Sequence, residues 1–283
     1  MPFRLEETFR DALHRRAEGV RPLAGMWVCS GSPLIAELCA GSGLDWLLVD
    51  AEHSPNGLES ILAQLQAVHG YPVRTMVRPP VNDTVLIKQY LDLGVQNLLI
   101  PMVNSAAEAE AAVAATRYPP QGVRGVGSAL ARAARWNRVP DYLARAGETI
   151  SVTVQIESTA AVDAVADILA VDGVDAIFLG PSDLAASMGL LGQQEHPDVV
   201  AAVERCLAAA RETGKPAGVN AFTPATADRY RAAGAAFILV GADVALLARG
   251  SEALAARFCV DGPPGEHTGA DDGAAARGGT ASY

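Results

Sequence analysis

The stretch "ISVTVQIESTAAVDAVADILAVDGVDAIFLGPSDL", residues 150–184, contains one whole structural repeat. A β-branched apolar run at 150–157 leads into "TAAVDAVADILAV", where apolar residues recur at three- and four-residue spacing, and then into a second apolar run, "AIFLG", at 176–180. Apolar strands flanking an amphipathic helix are covered on both faces, which is the pattern of a parallel βαβ unit. The same alternation extends outward in both directions. Further strands are expected at "GMWVCS" (25–30), "DWLLVD" (45–50), "VRTMVR" (73–78), "NLLIPM" (97–102), "PAGVN" (216–220) and "AFILVG" (236–241), with helical patterns between them that mostly close on Gly. Eight β/α repeats in about 260 residues favour an α/β fold of the closed (β/α)8 TIM-barrel type over an open doubly wound sheet.

The chain reads as one catalytic barrel over residues 1–260. From 261 on, "DGPPGEHTGADDGAAARGGTASY" has no apolar periodicity and is expected to be a disordered tail. Residues 118–149 form the one long insertion; they carry a cluster of Arg and are the candidate lid or interface segment. A formal net charge of −10 argues against a nucleic-acid partner. No apolar run is long enough for a membrane span. The opening "MPFRLEETFRDALHRR" is charged and lacks a secretory apolar segment. Cys29, Cys39, Cys206 and Cys259 are scattered without metal or disulfide spacing and read as free thiols in a reducing cytoplasm.

Reactive groups of such barrels sit just past the C-terminal ends of the strands. Strand two ends in Asp50, Glu52 and His53, strand three in Arg78, strand five in Gln155 and Glu157, and strand six in "GPSD", 180–183. Any one of these could be structural, but polar endings on four strands point to a site. Glu157 and Asp183 offer hard oxygen donors for a divalent ion such as Mg²⁺ or Mn²⁺, although Asp183 could equally serve a helix's first turn. After Pro181 the amides of Ser182, Asp183 and Leu184 are candidates for a substrate carboxylate. Arg78 can stabilise an oxyanion or pair with Glu52 or Asp50. Asp50, three residues before His53, is placed to orient that imidazole as a general base. Lys88 falls within a helix and Lys215 precedes strand seven, so a Schiff-base lysine is disfavoured and a metal electron sink is favoured.

The motifs "DWLLVDAEHSPNG", "VRPPVND", "IKQYLDLGVQNLLIPMV", "RYPPQGVRGVGSALARAARWNRVPDY", "VQIES" and "GVDAIFLGPSDLAASMG" together resemble the HpcH/HpaI aldolase family from about Gly25 to Phe258. That resemblance implies a barrel of the phosphoenolpyruvate/pyruvate-binding type. It also implies a class II pyruvate aldolase that cleaves a 4-hydroxy-2-oxo acid in the catabolism of aromatic compounds. By it, Glu157 and Asp183 are ligands of Mg²⁺, Mn²⁺ or Co²⁺, His53 with Asp50 serves acid/base chemistry, and Arg78 polarises the pyruvyl oxygen. Gln155 and the amides around Ser182 match positions lining the pyruvate pocket, and Trp27 stands where the family places an aromatic near the site; Glu52 is left between supporting Arg78 from behind and binding a metal-ligated water. It further implies a homohexamer, a trimer of dimers that exchange the last helix, "DVALLARGSEALAARF" (243–258). "GVNAFTPATADRY" departs from relatives that act on the heptanedioate, so Asn220 and Thr223 are expected to reshape the aldehyde end of the pocket. A sugar-acid aldolase and a citrate-forming synthase of the same family remain alternatives, with a non-catalytic dicarboxylate-binding barrel more remote.

Overall fold

The computed structural model describes residues 5–15 and 20–259, so the expected tail at 261–283 lies outside the described residues. The strands are β1 (Leu23–Val28), β2 (Trp46–Asp50), β3 (Arg74–Arg78), β4 (Asn97–Ile100), β5 (Ser151–Ile156), β6 (Ala176–Leu179), β7 (Ala217–Asn220) and β8 (Phe237–Ala242). They pair in parallel, in chain order, and β8 returns to β1 to close a barrel. Around them run α2 (Pro33–Ala40), α3 (Leu58–Ala67), α4 (Thr84–Asp92), α5 (Ala106–Thr116), α7 (Thr159–Asp163), α8 (Val165–Ala170), α9 (Pro181–Ser187), α10 (Pro197–Thr213), α11 (Pro224–Ala232) and α12 (Asp243–Phe258). A short α1 (Phe9–Arg15) precedes β1, and α6 (Tyr142–Arg145) lies in the connection before β5. The turns entering α2, α4, α5, α7 and α11 end in Ser32, Asp83, Ser105, Ser158 and Thr223, whose side chains accept the first free helical amides.

Alternation along each strand sorts residues into two cores. Leu47, Val49, Val77, Val152, Val154 and Ile156 face the helices, whereas Trp46, Leu48, Met76, Leu99, Phe178 and Phe237 fill the barrel interior. The interior aromatics need space that only a missing side chain provides. A Cβ on Gly25 would lie 2.5 Å from the Trp46 ring, and one on Gly218 would lie 2.3 Å from Phe237. Phe9 of α1 plugs the barrel floor, 5.1 Å from both the Trp46 and Phe237 rings, and its amide donates to Asn97 Oδ1 at 2.7 Å. α1 therefore closes the end opposite the strands' carboxyl termini.

The insertion at 118–149 also sits at that floor. It joins the end of α5 to the start of β5, and Arg132 Nη1 donates to Leu93 O at 2.9 Å, just past the end of α4. Fully buried Arg124 anchors it, pairing with Asp92 Oδ1 at 3.0 Å and lying 4.8 Å over the Tyr118 ring. A lid over its own mouth is thereby ruled out, because a helix-to-strand connection emerges at the amino-terminal face of the barrel. Among the described residues no helix is long and apolar enough to cross a membrane.

Candidate active site

The inward-facing residues at the carboxyl ends of the strands form a polar layer above the aromatic core. Trp27 on β1, Asp50 on β2, Arg78 on β3, Gln155 on β5 and Asn220 on β7 continue the same alternation that sends Trp46, Leu48, Met76 and Gly218 inward below them. Asp50 and Arg78 are direct partners in the β2–β3 register. Arg78 Nε consequently donates to Asp50 Oδ1 at 2.7 Å, and Nη1 lies 2.9 Å from Glu52 Oε2 and 3.4 Å from Gln155 Oε1. Its guanidinium carbon stands 4.3 Å over the Trp27 ring. Arg78 is only 4% exposed; burial works against its cation, yet the hydrogen bond and charge of Asp50 prevail and raise its pKa. Among the described residues no hydrogen-bond partner falls to its Nη2.

Gln155 links this cation to the carboxylates. Its Oε1 accepts from Arg78, so its Nε2 faces Glu157 Oε2, at 2.5 Å. The other oxygen of Glu157 accepts from the amide of Met102 at 2.7 Å. Met102 holds φ 52 there, a left-handed conformation just past β4, and sequence alone gives no sign of this contact. Gly180 fits the site by its lack of a side chain, since a Cβ would meet Glu157 Oε2 at 2.9 Å. Burial first, then the charges of Asp183 and Glu52, push the Glu157 carboxyl up to about 7. A buried carboxylate held close to other acids fits a divalent cation, which would relieve that repulsion. Among the described residues no cluster of three or more His, Cys, Asp or Glu side chains forms a complete metal cage. Glu157 and Asp183 could supply two oxygen donors to such an ion.

The other expected site residues fall as follows. Asp50 Oδ2 accepts from the backbone amide of His53 at 3.2 Å, so it orders the turn and not the imidazole. The carboxylate beside the ring is Glu52, whose Oε2 is 3.9 Å from Nε2. Burial raises the Glu52 pKa against the pull of Arg78. Of the three amides expected at the start of α9, that of Leu184 is taken by Gly180 O at 3.0 Å, which leaves Ser182 and Asp183 as candidates. The side chain of Thr223 caps α11 through Thr226. Asn220 Oδ1 accepts the Trp27 indole N–H at 3.0 Å. Lys215 Nζ donates to Val171 O at 2.8 Å on the floor side, and Lys88 lies on α4, so neither lysine reaches the mouth.

The polar layer sets a buried cation beside buried carboxylates, and the chain as a whole is similar to known proteins. A model of the HpcH/HpaI aldolase/citrate lyase family matches residues 23–250. A 4-hydroxy-2-oxo-heptane-1,7-dioate aldolase of Salmonella newport (strain SL254) is 53% identical over 257 residues, which cover 91% of this chain and 96% of that protein. Among solved structures, an HpcH/HpaI aldolase/citrate lyase family protein from Burkholderia cenocepacia J2315 superposes with TM-score 0.82 at 39% identity, covering 89% of this chain and 100% of the other. An HpcH/HpaI aldolase from Desulfitobacterium hafniense DCB-2 gives TM-score 0.77 at 30% identity, covering 86% and 95%.

Proposed function

The chain belongs to the HpcH/HpaI aldolase/citrate lyase family and is an aldolase, a carbon–carbon lyase, of that family; from that premise we propose that it cleaves 4-hydroxy-2-oxo acids, with 4-hydroxy-2-oxoheptanedioate the leading substrate, to pyruvate and an aldehyde. The observation that carries the reading is the continuous layer from Arg78 through Gln155 to Glu157, a buried cation and a buried acid joined at 3.4 and 2.5 Å. The 53% identity to an aldolase named for that heptanedioate supports the choice of substrate.

Glu157 and Asp183 would hold Mg²⁺, Mn²⁺ or Co²⁺, which when bound supplies Lewis-acid polarisation of the 2-oxo carbonyl. The chain's own residues do the rest. The amides of Ser182 and Asp183 bind the C1 carboxylate, and Arg78 Nη2 faces the C2 oxygen. His53 takes the proton of the 4-hydroxyl. As that oxygen forms the aldehyde carbonyl, the C3–C4 bond breaks and its electron pair passes into the pyruvate enolate. Charge then grows on the C2 oxygen, where the preorganised guanidinium is worth most. Glu52 steadies the imidazolium beside it, and protonation at C3 completes pyruvate. The deciding experiment measures pyruvate release from 4-hydroxy-2-oxoheptanedioate before and after chelation. Loss on chelation and recovery with Mg²⁺ or Mn²⁺ is expected, whereas undiminished cleavage by metal-free protein rejects the reading.

The working form proposed is a homohexamer, a trimer of dimers that exchange α12. Among the described residues of α12 Asp243 alone is buried, while Val244, Leu246, Leu247, Leu254 and Phe258 are exposed. On α2, Leu34 and Leu38 are exposed too, at 65% and 69%. An uncovered apolar helix and an uncovered apolar face support exchange between copies. The free cysteines suit a cytoplasmic enzyme.

A further inference from the structure

We infer that Asn220 is a positioning residue: by accepting the Trp27 indole N–H it holds the ring that fixes the height of the Arg78 guanidinium in the mouth. The inference rests on the enolate role proposed for Arg78. An indole nitrogen can only donate, so the amide atom 3.0 Å from it must be Oδ1, which settles the orientation of the Asn220 side chain. The contacts of Arg78 then divide by direction. Asp50 at 2.7 Å, Glu52 at 2.9 Å and Gln155 at 3.4 Å grip the edges of the planar cation and fix it within its plane. Displacement out of that plane is limited by the Trp27 face, 4.3 Å from the guanidinium carbon. Trp27 is itself 5% exposed and packed among apolar neighbours, and its polar atom is tied to Asn220. Asn220 is the last residue of β7 and Trp27 lies near the end of β1, so the bond passes over β8 and joins the two strands that flank it. A cation over a buried aromatic face is held strongly enough for the loss of its alignment to be read in rate.

The test uses the metal-loaded enzyme and the exchange of pyruvate methyl protons with deuterated solvent, which reports enolate formation without any aldehyde. Asn220→Leu removes the acceptor at similar volume and should slow exchange about tenfold, with pyruvate affinity within about twofold of wild type. Trp27→Phe breaks the same bond from the other side and carries the test if Asn220→Leu does not fold. In the Trp27→Phe background, Asn220→Leu should add no further loss, since the link is already gone. In the metal-free protein, the indole N–H resonance of Trp27 should shift on Asn220→Leu. Wild-type exchange in Asn220→Leu, or losses that multiply independently in the double variant, would overturn the inference. Arg78→Lys separates the two readings: wild-type exchange in that variant sinks the enolate role of Arg78, whereas slow exchange there with normal exchange in Asn220→Leu sinks only the relay.

Discussion

At the scale of single residues, the site depends on two buried charges with different needs. Arg78 is held by the protein's own Asp50 and Glu52, so its field would be in place before the proposed enolate forms. Arg78→Ala should lower kcat for pyruvate release by about 10²–10³, as loss of an oxyanion donor does. A rise in KM alone, with kcat kept, would show that Arg78 serves binding and not the transition state. Glu157 poses the opposite problem, because burial and the nearby Asp183 and Glu52 push its carboxyl from 4.5 up to about 7. Between those values the native protein keeps a proton that the unfolded chain has released. Its contribution to stability is thus full below about pH 4.5 and fades as pH rises toward 7. A cation needs the charged form, so the proton competes with it. Calorimetric affinity for Mn²⁺ should fall about tenfold per pH unit below about 7 and should collapse in Glu157→Gln. A flat affinity between about pH 5.5 and 7 would contradict the ligand role.

At the scale of elements, much of this arrangement was legible because a strand places alternate residues on one face. Trp46, Leu48 and Asp50 on β2, or Met76 and Arg78 on β3, show an apolar interior that gives way to a polar mouth. Alternation says which face a side chain takes, but not which neighbour it meets across the barrel. The pairing of His53 with Glu52 in place of Asp50, and the Trp27–Asn220 bond, stayed hidden for that reason. The Met102 amide was out of reach as well, since it depends on a left-handed turn in a loop. The insertion at 118–149 was expected as a lid or interface segment, yet, following a helix and preceding a strand, it lies on the floor. There it is held by Arg124, whose partner Asp92 is 30% exposed. Asp92→Ala should leave a buried cation unpaired and cost about 2 kcal/mol in urea unfolding. That is less than the roughly 3–5 kcal/mol of a fully buried pair, because water already reaches the carboxylate. An unchanged midpoint would mean that Tyr118 and Tyr142 suffice to hold Arg124.

At the scale of the whole molecule, a barrel that is closed by hydrogen bonds is still open at one place on its outer layer. The helices after β1 through β7 bury apolar residues against the strands, but α12 turns away after Asp243, whose carboxylate accepts the amides of Cys29 at 2.8 Å and Ser30 at 3.0 Å. That clip fixes where α12 departs, at the rim beside Trp27, and so couples the outer helix to the loop that leaves β1. Leu247 and Leu254, one heptad apart, lie on one side of α12 and are 65% and 61% exposed. Burying such a side chain against another copy is worth about 1.5–3 kcal/mol each, enough for a few of them to hold an interface together. Leu247→Glu with Leu254→Glu should therefore convert the assembly to smaller species in sedimentation velocity, while circular dichroism keeps the barrel's signal. Pyruvate methyl exchange should fall in parallel if the displaced helix slackens the clip at Cys29 and Ser30, next to Trp27. An oligomer of unchanged size would show that the exposed face of α12 is not what joins the copies.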